Sequence, residues 1–240
     1  MFSKIRDSLL TLAYPQACQI CENSVERFDD GTACRNCWQK TRVFSGKETL
    51  CRKCGKFLSE KKTDFQTFCH QCDEHFYDAA SAVGLYEKAL QASVLHLKNE
   101  PFIAKRLQKL FVSAFEKSEF QDANLIIPVP LSTKRFIERG FNQAVILAQI
   151  LARQTKLTLD EHSLTRAVHT TVHRAGMDTK ARELTVKNAF EVKRPKLIEN
   201  KKILLIDDVF TSGATASACA KILKKKGADK VYVLTIARAV

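Results

Sequence analysis

Thirteen consecutive residues, Ile203-Leu204-Leu205-Ile206-Asp207-Asp208-Val209-Phe210-Thr211-Ser212-Gly213-Ala214-Thr215, carry the densest chemistry in the chain. The four apolar residues read as a buried strand that delivers two adjacent carboxylates at its end. Three hydroxyls and a glycine then follow at the mouth of a helix. A helix N-terminus offers unpaired backbone N–H groups and a partial positive charge, and both suit a phosphate dianion. Thr211, Ser212 and Thr215 can add hydroxyl donors, and Gly213, just before Ala214, lets the backbone approach closely. Ionised, Asp207 and Asp208 only accept hydrogen bonds, which matches the paired hydroxyls of a ribose. Helix capping alone requires far less than this. The Gly-x-x-x-x-Gly-Lys pattern of P-loop enzymes is absent.

The cysteines form the second pattern. Eight of the nine fall into Cys-x-x-Cys knuckles: Cys18/Cys21, Cys34/Cys37, Cys51/Cys54 and Cys69/Cys72. Disulfide frameworks have no need of paired knuckles, whereas tetrahedral zinc does. Zinc is favoured over a rubredoxin-like iron, and four thiolates leave no open coordination position, so the role is structural. The knuckles are separated by 12, 13 and 14 residues, close to a duplicated knuckle–spacer–knuckle unit. Sequential pairing would make two ribbons; a cross-braced pairing of first with third and second with fourth is equally compatible with the spacing. Reduced metal-binding thiols point to a reducing compartment, most simply the cytoplasm. Cys219, alone in a helix, reads as a small core residue.

The elements around these motifs divide the chain in two. Residues 1–75 hold scattered apolar residues, too few for a core, so metal must supply the folding free energy. Met1 to Tyr14 superficially suggests a signal peptide. Its apolar part is short and Asp7 interrupts its basic end, so it reads as an amphipathic packing helix with Phe2, Ile5, Leu9 and Leu12 on one face. Within 76–240, strands are expected at Ala79 to Tyr86, Leu125 to Ile127, Ile203 to Ile206 and Val231 to Ile236. Helices are expected at Leu90 to Leu97, Phe102 to Phe115, Gln143 to Arg153 and Ala214 to Lys226. Apolar strands alternating with helices imply an α/β fold with a mainly parallel sheet flanked by helices. Ligands of such sheets bind at the carboxyl ends of the strands.

Composition bounds the function. With 45% hydrophobic and 27% charged residues, the 240-residue chain is globular, and it has no apolar run long enough to span a membrane. The formal charge is +13. Eight thiolates holding two zinc dications would lower it by four, and the chain would still favour a polyanionic partner. Basic residues cluster at Lys105, Arg106 and Lys109; at Lys134, Arg135 and Arg139; at Arg174, Lys180 and Arg182; and at Lys224 to Lys226. Phe136 and Phe141 lie among the second group, where they either stack on bases or join the core. The Lys224 to Lys226 run reads as a solvated helix end. His162, His169 and His173 lack ligand spacing.

The Ile203 to Thr215 stretch resembles the phosphoribosyl pyrophosphate (PRPP) motif of type I phosphoribosyltransferases. The whole chain resembles the ComF family of competence-associated proteins, which pair a double zinc ribbon with such a domain. Further matches are Leu97-Lys98, Pro128-Val129-Pro130-Leu131, Lys134-Arg135 and Arg139-Gly140-Phe141-Asn142-Gln143. Arg166…Thr170 and Arg182…Asn188-Ala189-Phe190 also fit. Ser212 stands where the family often has Thr, and His173 and Thr185 where Gln and Asn would be expected.

That resemblance implies a type I phosphoribosyltransferase-like domain over 76–240 behind a double zinc-ribbon domain over 1–75. It implies that Asp207 and Asp208 hold the ribose hydroxyls and that Thr211, Ser212, Gly213, Ala214 and Thr215 hold the 5-phosphate. Val129, Pro130 and Leu131 would form the pyrophosphate loop after Pro128, with Mg2+ accompanying the pyrophosphate. In a working transferase the paired carboxylates would also be catalytic, stabilising a cation-like ribosyl carbon. The implied role is handling of single-stranded DNA during transformation, with Lys134, Arg135, Arg139, Arg174 and Arg182 as DNA contacts and other uptake proteins as partners. The competing expectation is transfer of phosphoribosyl to a nucleobase or amine, although the sequence shows no comparably clear acceptor pocket. A third is a zinc-ribbon adaptor with a vestigial fold.

Overall fold

The computed structural model describes residues 15–61, 63, 65–72, 74–166 and 189–239. The expected N-terminal helix lies outside them, as do His169, His173, Arg174, Lys180, Arg182 and Thr185.

The amino-terminal part is built on its knuckles. One short helix, α1 (Arg35–Gln39), follows Cys34, and strands β1 (Thr49–Leu50) and β2 (Phe57–Ser59) flank the Cys51/Cys54 knuckle. Gly55, just after that knuckle, has a left-handed backbone at φ 66°, and Glu22 holds the matching place after Cys21 at φ 62°. The linker between the ribbons pairs with the main sheet. Val43 bridges Gly84, the Phe44 N–H donates to Val83 O at 2.8 Å and the Leu85 N–H to Arg42 O at 3.0 Å. A Cβ on Gly84 would lie 2.1 Å from that Arg42 oxygen, so only glycine permits the approach.

The sheet follows. In chain order its strands are β3 (Ala79–Leu85), β4 (Leu125–Pro128), β5 (Thr158–Leu159), β8 (Lys202–Phe210) and β9 (Lys230–Arg238), between which β6 (Leu164–Arg166) and β7 (Phe190–Val192) form a separate antiparallel pair. The spatial order is β3-β9-β8-β4-β5, and every pairing in it is parallel. Helices α2 (Lys88–Asn99), α3 (Lys105–Glu116), α4 (Thr133–Arg139), α5 (Gln143–Thr155) and α6 (Ala214–Lys225) complete the described chain. This is the mainly parallel sheet flanked by helices that the alternation of apolar strands and helices implied.

Alternation along β8 creates two cores. Leu204 and Ile206 join Val83, Ile126 and Leu234 under α2, α3 and α5, while Ile203 and Leu205 join Ile127 and Val233 under α6 and β7. Covered on both faces, these strands read as unbroken apolar runs. The ribbons enter opposite cores: Cys34, Cys37 and Trp38 pack into the first, and Cys51, Cys54 and Cys72 into the second. Cys219 is fully buried in the second core, where burial pushes its thiol far up and leaves it inert.

One expectation needs correction. Strand β8 does not stop at Ile206; it continues through both aspartates to Phe210, because β9 keeps pairing with it, Asp207 opposite Thr235 and Phe210 opposite Arg238.

Candidate phosphoribosyl and zinc sites

Strand β4 ends before β8 does. Its last pair is Pro128 with Ile206, and the Val129 N–H then donates to Ile206 O at 2.8 Å. Pro130 has no N–H with which to continue the ladder. Beyond this point β8 is paired on its β9 side while β4 turns away, so Asp207 and Asp208 stand beside the Val129 to Leu131 loop, at a strand-end position where α/β sheets bind ligands.

Asp208 is the better held carboxylate. Gln143 Nε2 donates to its Oδ2 at 3.3 Å, Lys98 Nζ lies 3.6 Å from the same oxygen, and the Val209 N–H donates to Oδ1 at 2.8 Å. Gln143 is in turn oriented by Arg139, whose Nη1 donates to Oε1 at 3.0 Å. Asn142 closes the arrangement: its Nδ2 donates to Val129 O at 3.0 Å and its Oδ1 caps α5 through the Ala144 N–H. Burial, followed by the neighbouring charge of Asp208, pushes the Asp207 carboxyl well above its ordinary range. A cation or ribose hydroxyls at this place would relieve that cost.

The loop after β8 is shaped from below. Gly213 is left-handed at φ 80°, and a Cβ there would lie 2.7 Å from the Phe210 ring and 3.1 Å from the Tyr77 hydroxyl. Phe210 and Tyr77 meet edge to face with centroids 5.6 Å apart, and Tyr77 stacks on His75 at 5.1 Å. Thr211, Ser212 and Thr215 lie at the N-terminus of α6, and Thr211 and Ser212 are exposed. Their hydroxyls and the α6 amides are placed to meet a phosphate.

Of the basic residues, Lys134, Arg135 and Arg139 lie on α4, which buries no residue at all. The helix is held by its ends, with the Ser132 hydroxyl accepting from the Arg135 N–H at 3.4 Å and Gly140 left-handed at φ 77°. Phe136 and Ile137 on it are 50% and 78% exposed, so Phe136 does not join the core. Lys105 and Arg106 serve the first ribbon instead, paired with Asp29 at 3.1 Å and Asp30 at 3.0 Å. Lys224 pairs with Asp78 at 2.8 Å. Arg174 and Arg182 lie outside the described residues.

The cysteines group sequentially: Cys18, Cys21, Cys34 and Cys37 in one tetrad, and Cys51, Cys54, Cys69 and Cys72 in the other, the sulfurs of each within 4.8 Å of one another. Sulfur pairs at 3.6 Å (Cys21 and Cys34; Cys51 and Cys72) and 3.4 Å (Cys54 and Cys69) approach the roughly 3.8 Å edge of a tetrahedron with ~2.3 Å zinc–sulfur bonds. One thiol in each tetrad is primed. Burial opposes ionisation of Cys18 and Cys51, but knuckle N–H groups outweigh it and lower them to about 6 and about 7. Burial and the neighbouring thiols push Cys37 and Cys72 far up and Cys54 to about 11. Four such groups ionise together only around a cation, so both tetrads fit structural Zn2+, held by thiolates with no catalytic opening.

Sequence reading singled out Lys98, Arg139 and Gln143 as matches without foreseeing that they converge on Asp208. It missed His75, Tyr77 and Arg238 beneath the loop; no local pattern marks them.

Comparison with known proteins agrees with this anatomy. The double zinc ribbon domain family matches residues 9–76. Competence protein F of Haemophilus influenzae is 29% identical over 215 residues, covering 86% of this chain and 90% of its own. DNA utilization protein YhgH of Escherichia coli K12 is 28% identical over 235 residues, 95% of this chain and 99% of its own. Competence protein ComFC of Bacillus subtilis is 28% identical over 221 residues, 88% and 85%. Among solved structures, a glutamine PRPP amidotransferase from B. subtilis aligns at 18% identity and a TM-score of 0.37, over 62% of this chain and 26% of that one. Among the described residues, no helix is long and apolar enough to cross a membrane. Along most of its length, ribbons and sheet together, the chain is similar to these competence and DNA utilization proteins.

Proposed function

We propose that the chain binds PRPP with Mg2+ at the carboxyl end of β8 and handles single-stranded DNA in the cytoplasm as a competence protein. The observation that carries the ligand reading is the juxtaposition at β8. Two carboxylates stand where β4 has ended, followed directly by a hydroxyl-rich loop at the N-terminus of α6. Asp207 and Asp208 would accept from the ribose hydroxyls, the Thr211 to Thr215 loop would receive the 5-phosphate, and Val129, Pro130 and Leu131 would face the pyrophosphate. Mg2+ would accompany the pyrophosphate and supply positive charge that lowers the cost of the Asp207 and Asp208 pair. The DNA reading is supported by the names of the relatives, by the basic charge, and by α4, which presents Lys134, Arg135 and Phe136 to solvent. Cations and aromatic faces together bind single strands.

Calorimetric titration of the zinc-loaded protein with PRPP and Mg2+, beside a folded Asp207→Ala/Asp208→Ala variant, tests the ligand reading. Micromolar binding that the variant loses is the expected result. Absence of binding in the native protein would overturn it. Release of pyrophosphate when a nucleobase is added would instead establish a transferase.

A further inference from the structure

Among the described residues, Arg238, the last residue of β9, is a buried guanidinium with no carboxylate among its hydrogen-bond partners. It is 7% exposed. Its Nη1 donates to Thr211 O at 2.5 Å and to Phe210 O at 3.5 Å, while Nη2 reaches Cys54 Sγ at 3.8 Å. Its Cζ sits 4.4 Å over the Phe210 ring, and Nε has no hydrogen-bond partner among the described residues. A guanidinium stays charged even when buried, and a charge so placed is costly unless an anion meets it. Carbonyl dipoles give partial relief only. Among the described residues its Nη2 reaches the second tetrad, which is an anion when loaded, since four thiolates around a dication carry two net negative charges and four thiols carry none.

The other support of the loop leads to the same tetrad. His75, three residues after Cys72, stacks on Tyr77 and lies near the Ser212 main chain. Tyr77 in turn lies edge-on to Phe210 and close beneath Gly213. The first ribbon is docked differently. Its Asp30 pairs with Arg106, which also lies 4.7 Å over Trp38, so that cation has a carboxylate whatever the charge of its tetrad.

We infer that Arg238 is a positioning residue that makes the second ribbon part of the phosphate loop. The thiolate charge of the metal-loaded tetrad Cys51, Cys54, Cys69 and Cys72 holds its guanidinium, and the guanidinium holds the Thr211 carbonyl. The shape of the loop therefore depends on metal in the second tetrad and not in the first. The consequence for ligand affinity rests on reading Thr211 to Thr215 as a 5-phosphate loop; the coupling between tetrad and loop does not.

The test uses the full chain with both tetrads loaded, as native protein, Arg238→Met, Arg238→Lys and Arg106→Met. Hydrogen exchange of the segment 209–216 should quicken at least tenfold in Arg238→Met, partly recover in Arg238→Lys and stay native in Arg106→Met. In the cadmium-substituted protein, Arg238→Met should shift the NMR signal of one ion and leave the other in place. PRPP affinity should fall at least tenfold in Arg238→Met, with partial rescue by lysine. Native exchange and unmoved cadmium signals in folded Arg238→Met would overturn the inference. If the methionine variant does not fold, native exchange and cadmium signals in Arg238→Lys overturn it equally, because a single ammonium cannot span both partners as the guanidinium does. Exchange and cadmium shifts as expected, in a protein that binds no PRPP, would uphold the coupling and refute the ligand reading.

Discussion

Gln143 and Asp208 meet beyond the end of β4, Nε2 to Oδ2 at 3.3 Å, with the two residues 5% and 7% exposed. The amide at the first turn of α5 thereby fixes a carboxylate on β8, and Arg139 fixes the amide. Gln143 is thus a connection between the end of the basic helix α4 and the carboxylate pair on β8.

Replacing Gln143 by Leu should leave Asp208 with Lys98 as its side-chain partner and Arg139 without an acceptor. A hydrogen bond to a charged group is worth about 1.5–3 kcal/mol, so PRPP affinity should drop roughly ten- to a hundredfold. Titration calorimetry reads this directly. Affinity equal to native would show that Asp208 needs no fixing.

Asp207 should make stability depend on pH. Its folded carboxyl takes up a proton at higher pH than the unfolded one, so the folded state binds more protons and stability falls as pH rises above the ordinary value near 3.8. Asp207→Asn removes this penalty. Urea unfolding at pH 8 should show the variant more stable by at least about 1.4 kcal/mol, the worth of one pKa unit, with a smaller gap at pH 5. An equal gap at both values would contradict the direction given for Asp207.

Trp38, the chain's one tryptophan, is 2% exposed and packs beside Cys37 in the first ribbon. Cys37→Ser should therefore red-shift its fluorescence, whereas Cys72→Ser should not. Each variant should retain one zinc where the native protein holds two, measurable by chelator release. A shift in both variants would mean that the ribbons melt together.

The α4 cations should act through phosphates. Lys134→Gln with Arg135→Gln should weaken single-stranded DNA binding regardless of sequence. The slope of log affinity against log salt should flatten by about 1.4, at ~0.7 per phosphate contact on a single strand. An unchanged slope would move the DNA surface away from α4.

The parallel sheet was legible because its strands are apolar on both faces, and Ile203 to Ile206 needs no context to be recognised. The run of β8 through Asp207 to Phe210 was not, since two carboxylates look like a strand end and only pairing with β9 extends it. Helix α4 gave no periodic signal because none of its residues is buried; Ser132 and Gly140 hold it from outside. The knuckles announced metal but not their partners, which are chosen by tertiary proximity. Arg238 was invisible for a similar reason: it lies 184 positions from Cys54 along the chain and contacts it through the sheet end.

The linker segment at Arg42, Val43 and Phe44 covers the outer edge of β3. Cut away from its ribbons, the sheet would present the Val83 carbonyl and the Leu85 N–H to solvent as the template for another strand. The second copy of the same fragment would be the nearest candidate to pair with it. The linker thus acts as an edge cap, and shortening the protein to its sheet domain should expose a strand edge that promotes self-association.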